Sequence, residues 1–256
     1  MPTYRLDIAY DGSHFFGYAK QPQFRTVQGD LEAALFVHTG PVDTSVAGRT
    51  DKGVHATEQV VSFSSEALDI ERVQRSLNSM LAPTIAIHRI EEVDDGFHAR
   101  YSATGRAYRY RIHNSAVHDP FRSPVMWTYA PRLEASAMDA AAQCLVGEHD
   151  FAAFCRKRGN APTIRRVTWA GWRRSADIVE MSIGANSFCH QMVRSIVAMS
   201  AEIGRGRLEV GDMQQVLDSR DRAITKGAAP PEGLTLVAVS YGDELLPRPG
   251  WMSQTP

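Results

Sequence analysis

The order in which the hydrophobic periodicities change constrains this chain more than any other feature. Strand-like runs occupy Thr3 to Tyr10 and Thr57 to Phe63, and two more follow in succession at Ile85 to Val93 and Thr104 to His113. Their apolar side chains recur close to period two, as one buried face of a sheet requires. Two helical patterns interrupt them. Thr26 opens one that runs through Leu31, Ala34 and Leu35 and stops near Gly40, while Asp69 caps another carrying Val73, Leu77 and Leu81. A strand and loop fill Val46 to His55. The second stretch of chain repeats the flavour: a helix at Glu134 to Val146, strands at Thr163 to Arg173 and Ile178 to Ile183, a helix from Ser187 to Ile203, a short helix near Met213 to Leu217 and a last strand at Leu234 to Tyr241.

Helices bunched between runs of strands argue against a doubly wound parallel sheet, which needs strict alternation of the two. The pattern predicts an α+β fold of two similar halves, with mixed or largely antiparallel sheets flanked by helices and a cleft between the halves. The expected division is an N-terminal half over 1–115, a C-terminal half over 116–246, and a loosely held tail over 247–256 that contains Pro247, Pro249 and Gly250. The proline-rich and polar stretch from Ala116 to Leu133 is the expected boundary.

Composition sets limits on the rest. With 256 residues, 43% of them hydrophobic, the chain can build one large core or two small ones without covalent staples. The cysteines, Cys144, Cys155 and Cys189, form an odd set with no C-x-x-C pair, so neither a disulfide framework nor a cysteine zinc site is expected, and a reducing cytoplasmic setting fits. The start, MPTYRLDIAYDG, alternates like a strand and lacks the charge and apolar run of a signal peptide. No stretch approaches the roughly 20 apolar residues of a spanning helix. A formal net charge of -1 argues against a uniformly basic nucleic-acid binder, so only local placing of the arginines can inform function.

The sharpest local feature is Ala47-Gly48-Arg49-Thr50-Asp51-Lys52-Gly53-Val54-His55-Ala56. Two glycines bracket a charged tetrapeptide between apolar strands, which allows a tight turn and a close approach of backbone to a ligand. Arg49, two residues before Asp51, has the charge to keep that carboxylate ionised and ready as a nucleophile. A turn whose aspartate merely accepts backbone hydrogen bonds explains the same residues equally well.

The second feature runs from Phe97 to Ile112. If Ala107 to Ile112 is a strand, Tyr108, Tyr110 and Ile112 share one face and Arg109 and Arg111 the other. Aromatic rings stack on unpaired bases and arginines neutralise phosphates, so the strand suits single-stranded or flipped-out RNA. A half-buried strand with a solvated basic side remains the plainer alternative. In Ser187 to Val197, helical spacing puts Phe188, Met192 and Ile196 on a buried stripe and leaves Arg194 off it. Arg156, Lys157 and Arg158, with Arg165 and Arg166, read as a basic loop compatible with phosphate contact.

Several chemistries are set aside. Neither a phosphate-binding Gly-rich loop nor a dinucleotide fingerprint follows a strand, H-x-E with C-x-x-C is missing, the histidines are scattered, and Gly-x-Ser-x-Gly does not occur. A hydrolase pairing Asp51 with Asp11 or Glu58 stays open, as does an RNA-binding protein without activity.

The motifs Tyr10-Asp11-Gly12-Ser13, Thr26-Val27-Gln28-Gly29, the Asp51 loop, Phe97-His98-Ala99-Arg100, Arg106 with Tyr108 and Tyr110, Leu145-Val146-Gly147 leading to His149-Asp150-Phe151, Met192-Val193-Arg194 and Gly233-Leu234 keep their order along the chain. In this the sequence resembles the bacterial tRNA pseudouridine synthase A family. The resemblance implies isomerisation of uridine to pseudouridine at positions 38, 39 and 40 of the tRNA anticodon arm, by a homodimer, without cofactor or metal. It implies Asp51 as the catalytic aspartate, Arg49 as the arginine that helps displace the base, Tyr108 as the ring that stacks on the extruded uracil, Arg194 as the basic partner of the aspartate, and Leu234 as an apolar pocket residue. Arg109, Arg111, Arg156, Arg158 and Arg165 are the expected RNA contacts. The sequence departs from the family pattern at Tyr18-Ala19, where Trp-Gln is usual, at Ala82 and Thr84 in place of Pro and Asp, and at Ala198 in place of Gly.

Overall fold

The computed structural model describes residues 1–156, 159, 161–225 and 227–252. In chain order the elements are β1 (Thr3–Tyr10), α1 (Val27–Thr39), β2 (Ser45–Val46), β3 (His55–Ser64), α2 (Ile70–Leu81), β4 (Ile85–Val93), β5 (Ala103–His113), β6 (Trp127–Thr128), α3 (Ala135–Ala142), β7 (Gly147–Asp150), β8 (Ile164–Ser175), β9 (Ile178–Ala185), α4 (Met192–Gly204), α5 (Asp212–Ser219) and β10 (Leu234–Tyr241). They form two compact units, Met1–Thr104 with Thr235–Glu244, and Gly105–Leu234 with Leu245–Pro256. The α+β class and the mixed sheets agree with the sequence.

In the first unit β1 is antiparallel to both β3 and β4, and β2 is antiparallel to β3. β10 lies parallel to β3, with Thr235 opposite His55 and Leu236 opposite Ala56. The alternation of β1 buries Tyr4, Leu6, Ile8 and Tyr10 on one face. The helices are stopped where the sequence expects. Thr26 accepts the Gly29 N–H at the start of α1, and Gly40 ends it at φ 70°, a left-handed position that glycine occupies without strain. Asp69 caps α2 by accepting the Arg72 N–H, and Val73, Leu77 and Leu81 form its buried stripe. Burying each leucine is worth about 1.5 to 3 kcal/mol.

In the second unit β9 is antiparallel to β5 and β8, β7 is antiparallel to β8, and β6 adds to β5 in parallel. Helices α3 and α4 pack on one another, and α3 also covers β8.

Four expectations change. The division falls after Thr104, not near residue 116, and Thr235–Glu244 returns to the first unit because β10 pairs with β3. The tail is held as far as Met252: a 3-10 turn at Gly250–Met252 places Trp251 under the Arg173 guanidinium and brings Met252 against Gly171 of β8. Helix α4 starts at Met192, not Ser187, since Gln191 takes a left-handed φ of 64° and breaks the helical path. Phe188 therefore belongs to the irregular segment before the helix and not to the helix stripe, whereas Met192 and Ile196 are fully buried as expected. Finally, Cys155 and Cys189 are bonded, their Cα atoms 5.7 Å apart, a span the spacing along the chain did not signal. Burial raises the thiol of the remaining cysteine, Cys144, to about 11.

Candidate active site

Asp51 sits between β2 and β3, where the chain leaves one short strand and must turn before entering a longer one. The turn is closed by the Val54 N–H donating to the Asp51 carbonyl at 3.1 Å, and Gly53 supplies a φ of 79°. Asp51 is half-buried, with Arg49 and Lys52 exposed on either side of it and Thr50 buried.

What fixes the loop lies underneath. The Gln59 side-chain amide reaches from β3 to donate to the Gly48 carbonyl at 2.8 Å and to the Tyr10 hydroxyl at 3.2 Å. That hydroxyl also pairs with Thr50 Oγ1 at 2.8 Å. Gln59 is fully buried, so each of these bonds replaces a lost bond to water. Burial drives the Tyr10 hydroxyl up to about 12 despite its bonds to Thr50 and Gln59, which keeps it a neutral donor and acceptor.

A second support wraps the outside. The Tyr18 N–H donates to the Thr50 carbonyl at 3.1 Å, and the Asp11 N–H to the Thr84 carbonyl at 3.0 Å. Gly12 lies so near the loop that a Cβ there would stand 2.0 Å from the Val54 oxygen. Gly17, at φ 104°, would bring its Cβ to 3.1 Å from the Thr50 oxygen. The departures from the family pattern fit into this support. Tyr18 is buried against Tyr10, ring centroids 6.2 Å apart, and the Thr84 hydroxyl accepts from Arg25 Nη2 at 3.2 Å. Asp11 is committed elsewhere: it accepts from Ser13 N and Oγ at 3.0 and 2.7 Å and faces His55 Nδ1 at 3.2 Å. Burial opposes its ionisation, but those hydrogen bonds and the two nearby histidines hold its carboxyl below the usual carboxylate range. Glu58 is exposed on β3.

The second unit carries the remaining residues. Tyr108 lies on β5 opposite Ile183, is 9% exposed, and meets Phe188 edge-on with ring centroids 5.1 Å apart. Tyr110, two positions on, is fully buried. Its hydroxyl donates to the Pro230 carbonyl at 2.7 Å, and its ring fills the space a side chain at Gly233 would need. Gly233 leads directly into Leu234, which is buried at the start of β10. Arg194, on the first turn of α4, donates from Nε to the Ala229 carbonyl at 2.7 Å, while the Ala229 N–H returns to the Arg194 carbonyl at 2.9 Å. Helix α4 and the segment before Leu234 are thus tied at that arginine.

Arg109 and Arg111 are half-buried, not a freely solvated basic side. Glu180 of β9 serves both Arg109, at 3.9 Å, and Arg173, at 2.8 Å, and lies opposite Arg111 in register. Three guanidinium groups are thus gathered about the Glu180 carboxylate. Burial and the neighbouring Arg109 charge lower the Arg111 pKa, Glu180 working in the other direction. Arg165 on β8 is half-buried, with burial lowering its pKa. Arg156 is exposed, and its N–H donates to the His190 carbonyl at 2.9 Å. Arg158 lies outside the described residues. No group of histidines, cysteines and carboxylates suited to a metal ion occurs among the described residues, and no described helix is long and apolar enough to cross a membrane.

Sequence reasoning missed Tyr10, Thr50 and Gln59 as the support of the loop. The available signal was Gln59 itself, a polar residue at a position of β3 that faces inward beside Val60 and Val61.

Comparison with known proteins gives a consistent picture. Residues 8–102 and 141–242 match a family model described as tRNA pseudouridine synthase. A protein of Leifsonia xyli called tRNA pseudouridine synthase A is 41% identical over 93% of this chain and 91% of its own length. Proteins of the same name from Listeria monocytogenes and Aeromonas hydrophila are 38% and 41% identical, each over 94% of this chain, covering 100% and 90% of their own lengths.

Proposed function

The chain belongs to the tRNA pseudouridine synthase family, and from that premise we propose that it isomerises uridine to pseudouridine in tRNA, with Asp51 as its catalytic carboxylate. The observation that carries the reading is the construction of the Asp51 loop. Buried Gln59, Tyr10 and Thr50 hold it from below and Gly12 and Gly17 press on it from outside. A turn needed only for chain reversal requires no such support, whereas a carboxylate that must meet one atom of a substrate does.

The reaction breaks the bond from uracil N1 to ribose C1′ and forms one from C5 to C1′. The C5 proton departs and N1 gains one, so no oxidant, reductant or added group is consumed. In the proposed roles, Asp51 acts on the target nucleotide, Arg49 helps displace the base from its stack, Arg194 supports the carboxylate, Tyr108 stacks on the extruded uracil, and Leu234 contributes apolar lining. Extrusion costs a few kcal/mol, which stacking on one ring offsets in large part. Arg109 and Arg111, with Arg156 and Arg165, are proposed to neutralise phosphates. The proposed targets are positions 38, 39 and 40 of the anticodon arm, the proposed assembly is a homodimer, and the proposed place of work is the cytoplasm, where tRNA resides.

Mapping pseudouridine in an unmodified tRNA transcript after incubation with the protein tests the target. Product confined to positions 38 to 40 is expected; product elsewhere in the tRNA would move the target, and free uracil would replace the synthase with a hydrolase.

A further inference from the structure

The chain between Phe16 and Arg25 folds back on itself beside the Asp51 loop. The Phe16 N–H donates to the Arg25 carbonyl at 2.9 Å, the Phe24 N–H to the Gln21 carbonyl at 3.4 Å, and Gln21 Nε2 to the Phe16 carbonyl at 3.2 Å. These bonds across the loop bring the two phenylalanine rings together, centroids 4.4 Å apart and planes within 16°. The pair is not part of the core: Phe16 is 42% exposed and Phe24 46%. Two large rings stacked face to face in water leave apolar surface whose covering is favourable, at about 25 cal/mol per Å².

The pair is also fastened to the catalytic loop. Lys52, the residue after Asp51, holds its Nζ 3.9 Å from the Phe16 ring centroid. Gly17, the residue after Phe16, abuts the Thr50 carbonyl and the Lys52 N–H. Lys52 is exposed and forms no ion pair with a carboxylate among the described residues, whereas Lys20 and Arg25 on the same loop are each matched to an acid, Glu32 and Asp30. A flat apolar surface beside an unmatched ammonium complements a nucleotide, whose base has a π-face and whose phosphate is anionic, better than it complements an apolar peptide.

We propose that the Phe16 and Phe24 stack, with Lys52, is a docking platform for an unpaired base of the RNA substrate other than the one isomerised, Lys52 meeting the adjoining phosphate. The proposal rests on the RNA substrate proposed above. It adds a contact on the unit that carries Asp51, beside the carboxylate itself.

Phe24→Trp turns the platform into a reporter. Saturating tRNA transcript is expected to quench the emission gained over wild type, because a base stacked on indole quenches it. In parallel, the double substitution Phe16→Leu with Phe24→Leu removes the rings while keeping apolar bulk. It is expected to raise KM for tRNA about tenfold with kcat within about twofold, while Phe24→Tyr stays close to wild type. Unchanged emission while filter retention shows the tRNA bound would overturn the platform, as would a KM for the double variant within about twofold of wild type. Tritium release by wild type, run on the same preparation, separates the two ideas: an active wild type without quenching sinks the platform alone, and quenching with an inactive wild type sinks the reaction alone.

Discussion

At the residue scale, three buried side chains, Tyr10, Thr50 and Gln59, underlie the Asp51 loop. Tyr10→Phe would leave the Thr50 hydroxyl and the Gln59 amide without their shared partner, and should cost about 1 to 3 kcal/mol in chemical denaturation. The same variant tests the titration of Tyr10. Its hydroxyl is raised from 10.0 to about 12 by burial, so the folded state holds that proton more tightly than the unfolded one. The resulting stability is complete below the unfolded value near 10 and is lost as pH rises through about 12. Denaturation curves from pH 9 upward should therefore fall less steeply for Tyr10→Phe than for wild type; equal slopes would show that Tyr10 is not the group responsible. Gly12→Ala should shift the Asp51 loop, since the added Cβ meets backbone at Val54 and not a flexible side chain. A lower melting temperature together with reduced turnover is expected, at a cost of about 1 to 3 kcal/mol. For Tyr108, replacement by Phe should be milder than replacement by Leu if the ring's role is stacking, and equal losses in kcat/KM would point to the hydroxyl.

At the element scale much was legible in advance. The bounds of β1, β4 and β10 follow from alternation of apolar residues, and those of α1 and α2 from Thr26, Gly40 and Asp69, because strand pleat and helix capping are local properties of the chain. What escaped was set by partners distant in sequence. Short β7 exists because β8 offers it an edge, and β6 because β5 does. The start of α4 depends on a left-handed Gln191, a conformation no side-chain pattern announces. The site divided the same way. Spacing singled out the Asp51 loop and the Tyr108 strand, but Arg194 and Leu234 entered through family resemblance, since an arginine on the rim of a helix and a buried leucine look like any others. The face of β5 that carries Arg109 and Arg111 lends itself to measurement. If both meet phosphates, changing either to alanine should weaken tRNA binding and reduce the slope of log affinity against log salt by about one; an unchanged slope would return these residues to a structural role around Glu180.

At the scale of the whole molecule, a net charge of -1 and a polyanionic substrate are compatible only if cationic groups are concentrated where the RNA lies. The half-buried arginines around Glu180 and the exposed Lys52 are the groups proposed for that role. Light scattering should give twice the 28.3 kDa of one chain for the proposed homodimer, and a monomer mass that persists with tRNA bound would refute it. The proposed chemistry depends on one carboxylate, Asp51, and tritium release from tRNA labelled at uracil C5 reports on it. Wild type is predicted to release the label and Asp51→Asn to release none, while binding tRNA within about tenfold of wild type, or 1.4 kcal/mol. Release by Asp51→Asn at a rate near that of wild type would contradict the account.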